Sequence, residues 1–183
     1  MRRIAFLLVA VTAVAGVLAF TASVSGRTDE QASPIYGVTI PAGYRNWKLI
    51  AVSEIAAGEK SQLRAEFGND IAIKAFQQGT LPFPDGSIVI AQHWTKESSP
   101  ENDKVLAMAP MVAGLANPKS FIPGSFINMQ IMVKDSKKYA ASAGWGFGDF
   151  KNGKPGDEAL TKTCFPCHQP AKDHDYVYTH YAP

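Results

Sequence analysis

"GSFINMQIMVKD", Gly124 to Asp135, alternates without a break. Ile127, Met129, Ile131 and Val133 fall on one side, and Phe126, Asn128, Gln130, Met132 and Lys134 on the other. A period of two over this length specifies a β-strand, because successive side chains leave a pleated backbone on opposite faces. Upstream, "LPFPDGSIVIAQHW" (Leu81 to Trp94) sets two prolines and Asp85-Gly86 before a β-branched run, the pattern of a turn leading into a strand. "NWKLIAVSE" (Asn46 to Glu54) alternates enough to supply a first strand. Between these two lies "GEKSQLRAEFGNDIAIKAFQQG" (Gly58 to Gly79), which predicts a broken helix or helical hairpin. Ser61 would cap a short helix through Phe67, and Asn69 or Asp70 a second that Gly79 ends. "TKESSPENDK" (Thr95 to Lys104) reads as a polar loop and "VLAMA" (Val105 to Ala109) as a short strand. "GWGFGDF" (Gly144 to Phe150) is an aromatic edge or final strand whose glycines let another backbone or a flat ligand approach. "GDEALTKTC" (Gly156 to Cys164), with Asp157 near its start and no breaker, predicts a short helix. The expected fold class is therefore α+β, a mostly antiparallel sheet with flanking helices.

The chain of 183 residues is the size of one domain, large enough to bury a core without covalent staples. Its first 25 residues are set apart. Arg2 and Arg3 precede an apolar run from Ile4 to Phe20 and small residues at Ala22 to Ser25, the layout of a secretory signal peptide, with an uncleaved membrane anchor as the alternative. The expectation is an exported, periplasmic protein. Residues 26–43 read as a flexible leader, and residues 44–183 as the folded domain. Without Arg2 and Arg3 the basic and acidic residues both number 16, a balance that excludes a nucleic-acid partner selected by a basic face.

Both cysteines lie in "TKTCFPCHQP", Thr161 to Pro170, where Cys164-Phe165-Pro166-Cys167-His168 is Cys-x-x-Cys-His. That is the attachment pattern of c-type haem: two thiols three residues apart bond the two vinyl groups of a porphyrin, and the adjacent imidazole supplies an axial ligand to iron. A structural zinc site wants four ligands, and neither a second cysteine pair nor a conventional set from His93, His174 and His180 completes one. A thioredoxin-like motif belongs early in a βαβ unit, and a plain disulfide leaves His168 unexplained. Only 15 residues follow His168 and none is methionine, unlike small electron-transfer cytochromes c. A sixth ligand would have to come from Met129, Met132, His93, His174 or His180; without one the iron keeps an open position for chemistry or gas binding.

Together with "YRNW" (Tyr44 to Trp47), "FPDG" (Phe83 to Gly86), "MVKDSKKY" (Met132 to Tyr139) and the terminal "YVYTHYAP" (Tyr176 to Pro183), this motif resembles the cytochrome P460 family over Tyr44 to Pro183. The resemblance implies one covalent haem c per subunit on Cys164 and Cys167, with His168 binding iron, in a β-rich and commonly dimeric fold. It implies oxidation of hydroxylamine, with nitric oxide, and transfer of electrons to a soluble cytochrome c. In the oxidases of the family a lysine is bonded to the porphyrin rim and a distal carboxylate moves protons. The β-type cytochromes c′ lack that lysine and bind nitric oxide in an aromatic pocket. Here the strand after the Asp-Gly turn offers Ala91 and Gln92 with no lysine before Lys96, which leaves Lys74 on the preceding helix as the candidate for the cross-link. Glu97 and Glu101 are candidate carboxylates without a clear placement. Phe76, Phe83, Phe121 and Phe126 are candidates for an apolar distal wall, His93 for a distal base, and Trp145 and Phe147 for packing on porphyrin. Each of these has ordinary core packing as its competing explanation. An enzyme, a nitric oxide-binding protein and an electron carrier all remain open at this point.

Overall fold

The 14-residue strand predicted from the alternation is present as β4, Phe121–Lys134, and the rest of the sheet is registered on it. In the computed structural model, which describes residues 31–108 and 118–182, six strands lie in sequential order. They are β1 (Lys48–Ile55), β2 (Gln62–Gly68), β3 (Ile88–Ser98), β4, β5 (Trp145–Lys151) and β6 (Lys154–Pro155), and every neighbouring pair is antiparallel. Helix α1 (Asp70–Gln78) links β2 to β3, α2 (Pro100–Met108) follows β3, and α3 (Glu158–His168) follows β6. The α+β expectation holds.

The two faces of β4 lead to different places. Met129 and Ile131 are buried with Ile90, Val38, Tyr139 and Phe150 in one apolar cluster. Met132 joins Phe83, Trp145, Phe147 and Val177 on the other side, together with the partly buried Cys164 and Phe165. Gly146 is required by the first cluster's geometry, since a Cβ there would run into the Tyr139 ring; Gly148 faces the Phe150 ring in the same way. The glycines of β5 thus admit aromatic rings of the core, and the two-residue β6 pairs beyond the strand only at Phe150 and Lys151.

Three elements differ from expectation. Gln62–Gly68 is a strand, not a helix capped by Ser61. Its polar residues Arg64 and Glu66 alternate with Leu63, Ala65 and Phe67, and pairing on both sides outweighs the helix propensity of Leu, Arg and Glu. Thr95 to Ser98 continue β3 instead of forming a loop, and Val105 to Met108 are helical, with Pro100 in the first position of α2 and Glu101 and Asp103 in its first turn. Ala109 of that expected strand lies outside the described residues. The leader is ordered well before Tyr44: Ser33 is buried, its hydroxyl donates to the Phe147 carbonyl (2.7 Å) and accepts from Val38 N–H (3.1 Å), and Val38 enters the core. The expected signal segment, residues 1–25, lies outside the described residues.

Ile131 is 1% exposed at the centre of the sheet. Ile131→Ala is expected to destabilise the protein by about 3 kcal/mol through lost burial and a residual cavity. Glu101→Ala on the exposed face of α2 should stay within about 0.5 kcal/mol, both read from urea unfolding midpoints.

Candidate cofactor site

Helix α3 begins where Asp157 accepts a hydrogen bond from Leu160 N–H (2.8 Å) at its N-cap, and it carries Cys164, Cys167 and His168 in its last two turns. The chain then runs through a 3₁₀ turn, Gln169–His174, and returns along the sheet as Val177 to Thr179. Between this helix, the returning tail and one face of the sheet lies a cleft with an inner volume of about 240 Å³ in a solvent-open space of about 940 Å³. Leu160, Thr163, Cys164, Cys167 and His168 form one wall.

The sheet wall is built in cross-strand rows. Val89, Met132 and Phe147 are register partners across β3, β4 and β5, and make its apolar part. One step along, Glu66, Ala91, Gln130 and Asp149 form a row across four strands, and all four line the cleft. The next row is Arg64, His93 and Asn128, of which Arg64 lines the cleft. The cleft is therefore apolar at one end and carries two carboxylates, an amide and a guanidinium at the other.

Each titratable group is set by its surroundings. Glu66 is 1% exposed, and burial pushes its carboxyl above the usual range, opposed by Arg64, the Thr179 hydroxyl and His180. Arg64 Nε lies 2.8 Å from Glu66 Oε1, but its N–H is aimed at Ser53 Oγ (2.9 Å), which leaves that carboxylate oxygen without a donor. Asp149 accepts from the Asn128 amide (2.6 Å) and the Gln130 amide (3.3 Å). Burial, with Arg64, lowers the pKa of His93; its Nδ1 is 3.2 Å from Gln62 Oε1, and its buried Nε2 has no partner.

His168 has a defined tautomer. Its Nδ1 is 2.7 Å from the Tyr176 carbonyl, which can only accept, so Nδ1 carries the proton and Nε2 keeps its lone pair. Burial depresses its pKa, which keeps the ring neutral and able to ligate. Phe147 packs on the imidazole at 5.1 Å between ring centres, and Tyr178 at 5.5 Å. Cys164 and Cys167 are free thiols, and burial, followed by the charges of Asp149 and Cys167, pushes Cys164 up to about 11. A protonated thiol of that kind is the reverse of a redox-active Cys-x-x-Cys, whose nucleophile is held at a depressed pKa. Two thiols and a neutral imidazole opening on a cleft with an apolar inner wall fit a covalently attached haem.

The other candidates separate cleanly. Lys74 is exposed on α1, and among the described residues no lysine lines the cleft. Phe147 lines the cleft, whereas Trp145 lies deeper against Phe83, with Phe76 beyond it. Phe121 and Phe126 are exposed, and Phe126 belongs to a second cavity across the sheet with Tyr44, Trp94 and Met129. Met129 is thus on the wrong face to meet the cleft, while Met132 lines it. His174 and His180 pair with each other beside a third cavity, at 5.9 Å between ring centres. Glu97 and Glu101 are exposed and do not line the cleft. Arg64, Glu66, Gln130 and Asp149 were not singled out from the sequence. The signal for Glu66 was the alternation of Gln62, Arg64 and Glu66, hidden by the helical assignment; for Asp149 it was the alternation of Trp145, Phe147 and Asp149.

The family model described as cytochrome P460 matches residues 41–179. No curated protein matches the chain.

Because the folded-state pKa of Glu66 is raised, the unfolded chain loses this proton first as pH increases. Stability contributed by the group is then lost from about pH 4 upward, through the folded value. Glu66→Gln removes this decline, so the urea midpoint of the variant relative to the wild type should increase between pH 4 and pH 7.

Proposed function

This chain belongs to the cytochrome P460 family and is a haem c protein, and from that premise we propose that it is an exported oxidoreductase of small nitrogen compounds, with hydroxylamine as the substrate class. In this reading Cys164 and Cys167 carry the haem and His168 binds its iron. The observation that carries the reading is the polar row Glu66, Gln130, Asp149, with Arg64 beside it, facing the Cys-x-x-Cys-His helix across the cleft. A cleft built only to hold a diatomic gas needs no such set; oxidation of hydroxylamine releases protons with its electrons and needs groups to take them.

Haem c held by Cys164, Cys167 and His168 would supply a redox-active iron and a path for electrons to a soluble cytochrome c acceptor. The chain's own residues do the rest. Glu66, with a raised pKa and one carboxylate oxygen lacking a donor, is the proton acceptor nearest in character to a working general base at neutral pH. The Arg64 guanidinium beside it favours the ionised form and limits that rise. Asn128 and Gln130 hold Asp149 in place through its Oδ2. Val89, Met132 and Phe147 exclude water from the inner end. Thr179 and exposed His180 both oppose the rise in the Glu66 pKa.

A second reading has its own observation. The cleft wall lacks a lysine, so the rim bond of the family's oxidases has no donor there, and nitric oxide binding without turnover is the function that a missing bond favours. In this reading Lys74, exposed on α1, is a solvated helical charge and makes no cross-link.

Expression with a haem c maturation system should give an intact mass of one haem per chain, no bond to lysine, and a five-coordinate ferrous spectrum. A six-coordinate low-spin spectrum would instead mean electron transfer. Hydroxylamine should drive reduction of cytochrome c, and Glu66→Gln should slow it about 10²- to 10⁴-fold while nitric oxide affinity changes little. Nitric oxide binding without any hydroxylamine-driven reduction would select the second reading.

A further inference from the structure

Beyond α3 the chain turns sharply, and two consecutive residues other than glycine take the left-handed conformation there: Asp175 (φ 50°) and Tyr176 (φ 66°). Such residues stay in that region only where their surroundings hold them. Here the hold is specific. Lys134 Nζ donates to Asp175 Oδ1 (2.9 Å) and Oδ2 (2.8 Å), and its third hydrogen reaches the Ala143 carbonyl (3.1 Å). Asp175 Oδ2 also accepts from Phe83 N–H (2.8 Å), and the Asp175 carbonyl accepts from Trp145 Nε1–H (2.8 Å). Both charged side chains are under 10% exposed, and the ammonium sits 5.0 Å from the centre of the Trp145 ring. Three separate parts of the sheet side, at residues 83, 134 and 145, converge on one aspartate in the tail.

The residue after that aspartate carries the carbonyl that holds His168 Nδ1–H at 2.7 Å. We infer that the Lys134–Asp175 pair is a positioning device for His168: it fixes the Tyr176 carbonyl against the imidazole and so sets how strongly the other ring nitrogen donates to iron. The inference rests on the proposed role of His168 as the iron ligand, and adds to it two residues outside the Cys-x-x-Cys-His motif. A firm Nδ1–H···O=C bond gives the ring more imidazolate character, which strengthens the iron–histidine bond and stabilises the ferric state. Loosening the clamp lets the carbonyl drift, weakens that bond and raises the reduction potential.

The test uses the full-length, haem-loaded protein in four variants: Asp175→Asn, Lys134→Met, the two combined, and Lys134→Arg. Lys96→Met, which breaks the ion pair with Glu54 on β1, serves as a control. The readouts are the iron–histidine stretching frequency of the ferrous protein by resonance Raman spectroscopy and the midpoint potential. Each single variant is expected to lower the frequency and raise the potential, the double variant to do no more than either, and Lys134→Arg to recover part of the shift. Lys96→Met should move neither. Unchanged frequency and potential in folded variants, even with a lower melting temperature, would reduce the pair to a structural role and overturn the inference. If Asp175→Asn does not accumulate, Lys134→Met and Lys134→Arg decide it on the same two readouts. A five-coordinate, high-spin ferrous wild-type protein with no iron–histidine stretch would overturn the assignment of His168, and the inference with it, before any variant is made; in a six-coordinate protein the midpoint potential alone decides.

Discussion

The structure depends on the two-sidedness of one strand. β4 is paired along its length with β3 and, over its second half, with β5, and its alternation sends Met129 and Ile131 into one core, Gln130 and Met132 toward the cofactor cleft, and Lys134 to Asp175 in the tail. Because the side-chain period is two, a slip of one residue would exchange the faces and put aliphatic residues where the cleft needs polar ones. Burial of Ile131 and Ile90, each worth about 1.5–3 kcal/mol when fully removed from water, holds the register. The cross-strand row Glu66, Ala91, Gln130, Asp149 exists only while it is held.

Magnitude also separates the ion pairs that matter from those that do not. Lys162–Glu158 is an exposed i,i+4 pair worth about 0.3–0.5 kcal/mol. Lys134–Asp175 is almost fully buried, and removing one partner of such a pair typically costs about 3–5 kcal/mol because the other charge is left unpaired. Its position explains why the tail stays against the sheet. The tail also packs Val177, Tyr176 and Tyr181 on the core, and the clamp adds ties through Phe83, Lys134 and Trp145 at once.

The sequence was legible where local and tertiary preferences agree. β4, the turn into β3, the Asn69 cap and Gly79 stop of α1, and α3 behind Asp157 all carry signals that the packed structure also favours. β2 was not, because Leu63, Arg64 and Glu66 are good helix formers in isolation and become strand residues by pairing between β1 and β3. The leader misled for a related reason. Gly, Pro and polar residues usually mean a loop, and they do form one here, but Ser33 is tied to Phe147 across 114 positions of the chain, a contact that composition does not encode. Lys74 was the available lysine near the right turn, and α1 points it to solvent.

What the sequence determined by itself is chemical identity at short range. Cys164, Cys167 and His168 are three contacts within five residues, close enough that a single helical turn places them whatever the rest of the chain does, and so the attachment of haem c could be read from spacing alone. What only the tertiary structure decided is everything that faces that helix. Glu66, Ala91, Gln130 and Asp149 come from four strands spread over more than 80 positions, and Lys134 reaches Asp175 across 41. Their meeting is a consequence of strand register and burial rather than of any local pattern. The attachment chemistry is therefore written in a motif, and the chemistry available to a bound ligand in the pairing of a sheet.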